Sequence, residues 1–140
     1  MDDTLSIRWT VDRATRRGRS YQRLLGFNML VHLVVGLLCM FAPDFVSDVV
    51  GLPHPVPDGW TRGWGATLIL VTALYAPGLR NPTRARYPNV VGILGRVWMA
   101  ATWFFIGGGF FWLGLFGIAF AALIAASYYR LFEAELQTRP

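Results

Sequence analysis

FFWLGLFGIAFAALIAASYY, residues 110–129, contains no charged side chain. At about 1.5 Å of rise per residue a helix of this length spans about 30 Å, the hydrocarbon thickness of a bilayer. A surface helix of a soluble protein keeps a polar face, and this stretch has none, so it reads as a membrane span. Just before it stands Gly107-Gly108-Gly109, and before that a second apolar run, Pro88–Ile106. Three glycines allow only a tight turn, so the two runs form an antiparallel hairpin. Two more runs lie upstream: Leu24–Ala42, ended by Pro43, and the shorter Gly63–Leu79, whose inner end Pro77-Gly78 is predicted to break. The expected architecture is all-α, a four-transmembrane-helix bundle with spans at 24–42, 63–79, 88–106 and 110–129. A basic tail, 1–23, precedes it and a short tail, 131–140, follows.

Composition agrees. The chain is 54% hydrophobic and 15% charged, against roughly 25% charged in soluble domains. All 13 basic residues are arginine, and the formal charge is +5. Such a balance can mark nucleic-acid binding, but here the arginines stand at span boundaries, where they set orientation, so nucleic acid is excluded as a partner. Arg8, Arg13, Arg16, Arg17, Arg19 and Arg23 precede the first span; Arg80, Arg84 and Arg86 separate the second and third; Arg130 and Arg139 follow the fourth. The loop from Pro43 to Trp60 has Asp44, Asp48 and Asp58 and no arginine. The positive-inside rule then puts both termini in the cytoplasm, with the chain expected in the inner (cytoplasmic) membrane. Trp60, Trp64, Tyr87, Tyr128 and Tyr129 sit at span ends as interfacial anchors. The first run is too long for a signal-peptide core and no small-residue cleavage site follows it, so it is expected to persist as a span.

Outside the spans, Asp44–Val50 has helical spacing, with Phe45 and Val49 on one side, Asp44 as a cap and Gly51 as a stop. It is expected to lie on the outer membrane surface. Leu52–Pro57, L-P-H-P-V-P, reads as extended. Near the N-terminus Leu5, Ile7, Trp9 and Val11 alternate with polar residues, a strand period. A lone strand is unstable, so the expectation is a loose tail, or a segment that adds to a partner's sheet edge.

Arg96 needs explaining. It lies in the middle of G-I-L-G-R-V-W-M (92–99), about 12 Å inside the third span counted from Pro88. An arginine there costs roughly 2.5–3.5 kcal/mol on insertion scales, and such residues either snorkel or face protein or water. His32 stands at the same depth in the first span, which runs in the same direction. Asn28 is one turn below His32 on the same face. The second span runs the other way and brings Thr72 and Tyr75 to a similar level. Asn28, His32, Thr72, Tyr75 and Arg96 are therefore expected to share one polar layer. No Asp or Glu lies in any span, so the groups that suit the layer are backbone carbonyls, a lipid phosphate, an acid on another subunit, or an anionic or quinone-like head group. A buried-carboxylate proton pump does not fit. One buried histidine cannot ligate haem from both sides, and Cys39 is the lone cysteine, so no metal site or disulfide framework is expected. Hydrolytic motifs are absent.

Packing signals are clear in the fourth span, where Gly114, Gly117, Ala121 and Ala125 make a small-residue stripe suited to close helix approach, within the bundle or against a partner subunit.

R-L-L-G-F-N-M-L-V-H-L-V-V-G (23–36), then F-A-P-D (41–44), G-L-P (51–53) and R-G-W-G-A (62–66), give a layout that resembles the small bacterial four-span proteins called DoxX-like, over roughly Arg23–Arg130. The resemblance implies an accessory role near quinone-linked redox chemistry, as in the small subunit of a thiosulfate–quinone oxidoreductase, and carries over no catalytic residue. The leading expectation is an auxiliary, non-catalytic subunit of a larger respiratory or photosynthetic membrane complex, lending packing surface and one wall of a lipid or quinone site. The second is a stand-alone carrier or binder of a small anionic or quinone-like molecule. A redox subunit sharing haem through His32 is the third.

Overall fold

The computed structural model describes residues 3–138, with side chains from Arg8 onward. Arg139 and the side chains of Leu5 and Ile7 fall outside that description. Five helices follow in order: α1 (Asp3–Phe41), α2 (Pro43–Val50), α3 (Gly59–Arg80), α4 (Arg86–Ile106) and α5 (Phe110–Leu136). No strand occurs among the described residues. Three of the helices, α1, α4 and α5, are long and apolar enough to cross a membrane. α3 is not among them, because Thr61, Arg62, Thr67, Thr72 and its glycines dilute its apolar stretch.

Two expectations about helix ends are overturned. The N-terminal segment is neither loose nor a strand: α1 is helical from Asp3 on. Its arginines and Ala14 are good helix formers, and an existing span spares the extension the cost of nucleation. Tertiary contact favours it further. α5 also outruns its span, to Leu136, and buries Leu131 and Ala134, with Gly18 of α1 lying against Leu131. Pro77 does not break α3, which continues to Arg80. The missing N–H of Pro77 falls in the last turn, and the nearby carbonyls are capped from outside. Gln22 Nε2 of α1 donates to Leu79 O at 2.9 Å. Gly78 O would take its helical bond from residue 82, a proline without an N–H; Asn89 Nδ2 of α4 reaches it at 3.5 Å and also donates to Pro82 O at 3.1 Å.

The segment after α1 forms the expected short helix and glycine stop, but without the expected cap. α2 starts with Pro43 at its first turn after Ala42, and Asp44 makes no capping bond; the fixed φ of proline starts the helix one residue early. Gly51 ends it in the left-handed region, φ 73°. Leu52–Pro55 has no regular structure. Arg62 pairs with Asp58 at 2.9 Å and its Nη1 also donates to Met40 O, tying the start of α3 to the end of α1.

The four long helices close a ring in which α1 packs on α3 and α5, and α4 packs on α5 and α3. Matched levels show that neighbours are antiparallel. Tyr21 meets Tyr128 (ring centroids 5.2 Å) and Phe27 meets Phe120 (6.2 Å) between α1 and α5. Trp64 meets Trp103 edge-on between α3 and α4. The α1–α3 crossing depends on Gly36 and Gly65: a Cβ on either would press on the other's carbonyl oxygen. Gly107 and Gly108 make the α4–α5 turn with φ 74° and 58°. The small-residue stripe of α5 faces inward. Gly114 abuts the Phe104 ring and the Ala100 carbonyl, Gly117 sits over Ala100, and Ala121 is buried. Gly114, Gly117 and Ala121 thus pack within the bundle, the first of the two alternatives the sequence left open, while Ala125 is only half-buried.

Candidate functional site

The interior of this ring is apolar along one stretch and polar along another. Tyr21, Leu25, Ile124 and Leu131 form an apolar cluster. Yet the largest fully buried side chains are Tyr21, Asn28 and Asn89, and Arg96 is only 8% exposed. Arg96 stands ten residues from each end of α4, about 15 Å of helix either way. It does not snorkel. Its Nη2 meets His32 Nε2 at 2.9 Å, and its guanidinium carbon lies 5.9 Å from the Tyr75 ring centroid. α1 and α4 are diagonal in the ring, so this contact crosses the centre of the bundle.

Tyr75 makes the third side. Its ring is 6.2 Å from that of His32, and its hydroxyl donates to Gly92 O at 3.4 Å. Glycine is required there, since a Cβ at residue 92 would overlap the Tyr75 ring. Three of the five residues expected in the layer, His32, Tyr75 and Arg96, are thus in mutual contact. Asn28 is 1% exposed, one turn from His32 on α1. Thr72 stands apart: its hydroxyl donates to Leu68 O on its own helix at 2.8 Å.

Donor counting fixes the histidine tautomer. A guanidinium has only donors, so the 2.9 Å contact requires a lone pair on His32 Nε2, and the imidazole is neutral with its proton on Nδ1. That Nδ1 is buried and meets no acceptor from the described residues, and the same holds for Asn28 Nδ2. A buried donor left unpaired costs about 1–3 kcal/mol. The layer therefore holds one positive charge and two idle donors, with no carboxylate in any of the long helices' apolar stretches. It is short of acceptor oxygens and of negative charge. Among the described residues, no three His, Cys, Asp or Glu side chains gather as a metal site would need.

Sequence reading missed Tyr21, Asn89 and the inward role of Tyr128. Tyr21 and Asn89 are buried, and the Tyr128 hydroxyl donates to Pro82 O at 3.4 Å. The signal was available in Pro82, which leaves the Gly78 carbonyl without a helical donor and calls for an amide nearby. Trp60, Tyr87 and Tyr129 are exposed. Between α2 and α3, His54 Nε2 lies 2.8 Å from Asp48 and Nδ1 3.9 Å from Asp44. The hydrogen bond His54 donates to Asp48, then the charges of Asp48 and Asp44, raise the His54 pKa above its usual 6.5.

Comparison with family models, characterised proteins and solved structures finds no match.

Proposed function

We propose that the chain is a bacterial inner-membrane protein of four spans, both termini cytoplasmic, that holds a small ligand by its acceptor-bearing head group, quinone-like or anionic, at Arg96 and His32. α3 is the fourth span in this reading, because it is antiparallel to α1 and level with it from Met40–Arg62 to Gln22–Leu79. The observation that carries the function is the surplus of donors. An arginine, a neutral histidine with a free Nδ1–H and an asparagine amide surround one level of the bundle without an acid. A carbonyl, carboxylate or phosphate oxygen would satisfy them. The layer is closed by Tyr75, and α3 and α4 are the loosest pair in the ring, so a ligand would come laterally from the lipid through that seam. The DoxX-like resemblance fits a quinone-like head group.

The test is equilibrium binding of decyl-benzoquinone and of dodecanoate to the purified full chain in neutral detergent. Saturable binding of one of them is expected, weakened at least about tenfold by Arg96→Leu and by His32→Ala, since a hydrogen bond to a charged group contributes about 1.5–3 kcal/mol. No saturable binding, or binding indifferent to both changes, refutes the reading.

The auxiliary subunit, the leading expectation from the sequence, becomes the second reading, favoured by the helical extension of α1, which exposes Trp9 and Val11. Particle mass after mild extraction separates the two. Stoichiometric partner polypeptides support the subunit; a particle of this chain alone supports the binder.

A further inference from the structure

At the end of the bundle where Arg80, Arg84 and Arg86 cluster, α4 and α5 part and leave a groove of about 480 Å³. It is lined by the apolar Val90, Ile93 and Ala125, by Tyr128, Tyr129 and Phe132, and by Arg86. The cause is in the stripe on α5. Gly114 and Gly117 meet Ala100 of α4, and Ala121 is buried, but Ala125 meets a hollow. A residue small enough for close packing lies where the helices no longer pack.

Arg86 is held in position. Its guanidinium lies 4.9 Å from the Phe132 ring centroid, and its Nε donates to Thr83 O at 3.1 Å. No described carboxylate forms an ion pair with it. Its terminal nitrogens therefore carry a fixed, unneutralised charge beside an apolar trough.

We propose that this groove is a binding site for one anionic phospholipid, its phosphate on Arg86 and one acyl chain along Val90, Ile93 and Ala125. The two halves of the groove select that occupant together. A guanidinium pairs with a phosphodiester through two parallel hydrogen bonds, and basic pockets between membrane helices hold anionic head groups in this way. A free phosphate would leave the trough unused, and a neutral lipid would leave the charge unmatched. Tyr129, two-thirds exposed in the groove's lining, has the amphipathic character suited to head-group depth. The site is separate from the Arg96 layer and requires only that the chain lie in a membrane.

The experiment is native mass spectrometry of the full chain in neutral detergent, supplied with phosphatidylglycerol and phosphatidylcholine at equal mole fraction. One retained phosphatidylglycerol is expected, in preference to phosphatidylcholine. Arg86→Gln should reduce that preference about fivefold, the equivalent of about 1 kcal/mol for one arginine at an anionic surface. Ala125→Phe should fill the trough and remove the retained lipid, with helical content unchanged by circular dichroism. Arg84→Gln, outside the groove, should leave retention as it was. Equal retention of the two lipids overturns the proposal, as does an Arg86→Gln protein that behaves like Arg84→Gln. Arg86 is exposed, so its variant tests the charge even if Ala125→Phe fails to fold.

Discussion

Deleting either partner of the Arg96–His32 contact should have unequal effects, and the inequality tests the geometry. His32→Ala leaves a charged guanidinium in the bundle centre without its acceptor at 2.9 Å. Interhelical hydrogen bonds in membranes average about 0.6 kcal/mol, with a maximum near 1.7, whereas bonds to charged groups contribute about 1.5–3. A charged donor inside a membrane bundle falls where these ranges meet, at about 1.5–2 kcal/mol, and the lost ring volume raises the total to about 2–3. Arg96→Met removes the charge itself, whose insertion costs roughly 2.5–3.5 kcal/mol, and fills most of its volume. It leaves a neutral imidazole with one more unmatched nitrogen, so the net change should be under about 1 kcal/mol in either direction. The double variant should then show a coupling of about 1.5–2 kcal/mol. Reversible unfolding in mixed micelles, at fixed lipid-to-detergent ratio, measures all four corners of the cycle. Should Arg96→Met cost more than His32→Ala, or the coupling fall below about 0.5 kcal/mol, Arg96 does not reach across the bundle to His32.

Other consequences are more local. Gly65→Leu should destabilise by at least about 1–3 kcal/mol, because a side chain there meets the Gly36 carbonyl and Cys39; the same unfolding assay reads it, and a neutral result would mean that α1 and α3 do not cross at these glycines. Asn89→Leu should cost about 2–3 kcal/mol by stripping the donor from the Gly78, Pro82 and Ala85 carbonyls, while Asn81→Leu, exposed at the same turn, should change little. The His54 contact has a definite pH sign: its folded pKa is raised, so its stabilisation is fully present below about pH 6.5 and is lost as pH rises through the folded value. Thermal melts of the wild type and of His54→Gln should differ at pH 5.5 and converge in alkaline buffer, and Asp48→Asn should return the His54 NMR titration toward its ordinary midpoint.

Helices and turns were legible because each has a local physical cause. Twenty uncharged residues in a row, a triple glycine and a Pro43 stop need no tertiary information. Depth arithmetic also worked for the polar layer: α1 and α4 run in parallel, and His32 and Arg96 stand equally far from their span starts, so they met. Rotation was harder. Thr72 has the right depth, but its hydroxyl is taken by the Leu68 carbonyl of its own helix, which depth arithmetic does not foresee. The helical extensions of α1 and α5 were illegible for a different reason. Each is polar and marginal alone, and they become favourable only against each other, through Gly18 on Leu131. The alternation of Leu5 to Val11 then misled, since a period of two over a few residues says nothing about a helix held by distant packing.

The same reasoning bears on why Arg96 is where it is. A buried ionic or polar group is weak evidence for stability, because well-packed apolar residues of like volume often do as well or better. Here the balance is worse than for a salt bridge, since His32 brings no negative charge and leaves its own Nδ1–H unmatched. Tyr75 adds only its ring face, worth about 0.5–2 kcal/mol, and needs Gly92 to fit. Three residues from three helices thus form an arrangement that stabilises the bundle little and leaves donors idle. An acceptor supplied from outside the chain would shift that balance by taking a proton that now has no partner, the His32 Nδ1–H or the Asn28 amide. The stability measured without such a ligand should therefore be low at this layer. It should rise on adding the head group that fits, by RT ln(1 + [L]/Kd), about 2.7 kcal/mol at a hundredfold excess over Kd. A rise seen in the wild type and absent in the double variant would tie the layer's odd chemistry to binding; an equal rise in both would assign it to the detergent phase.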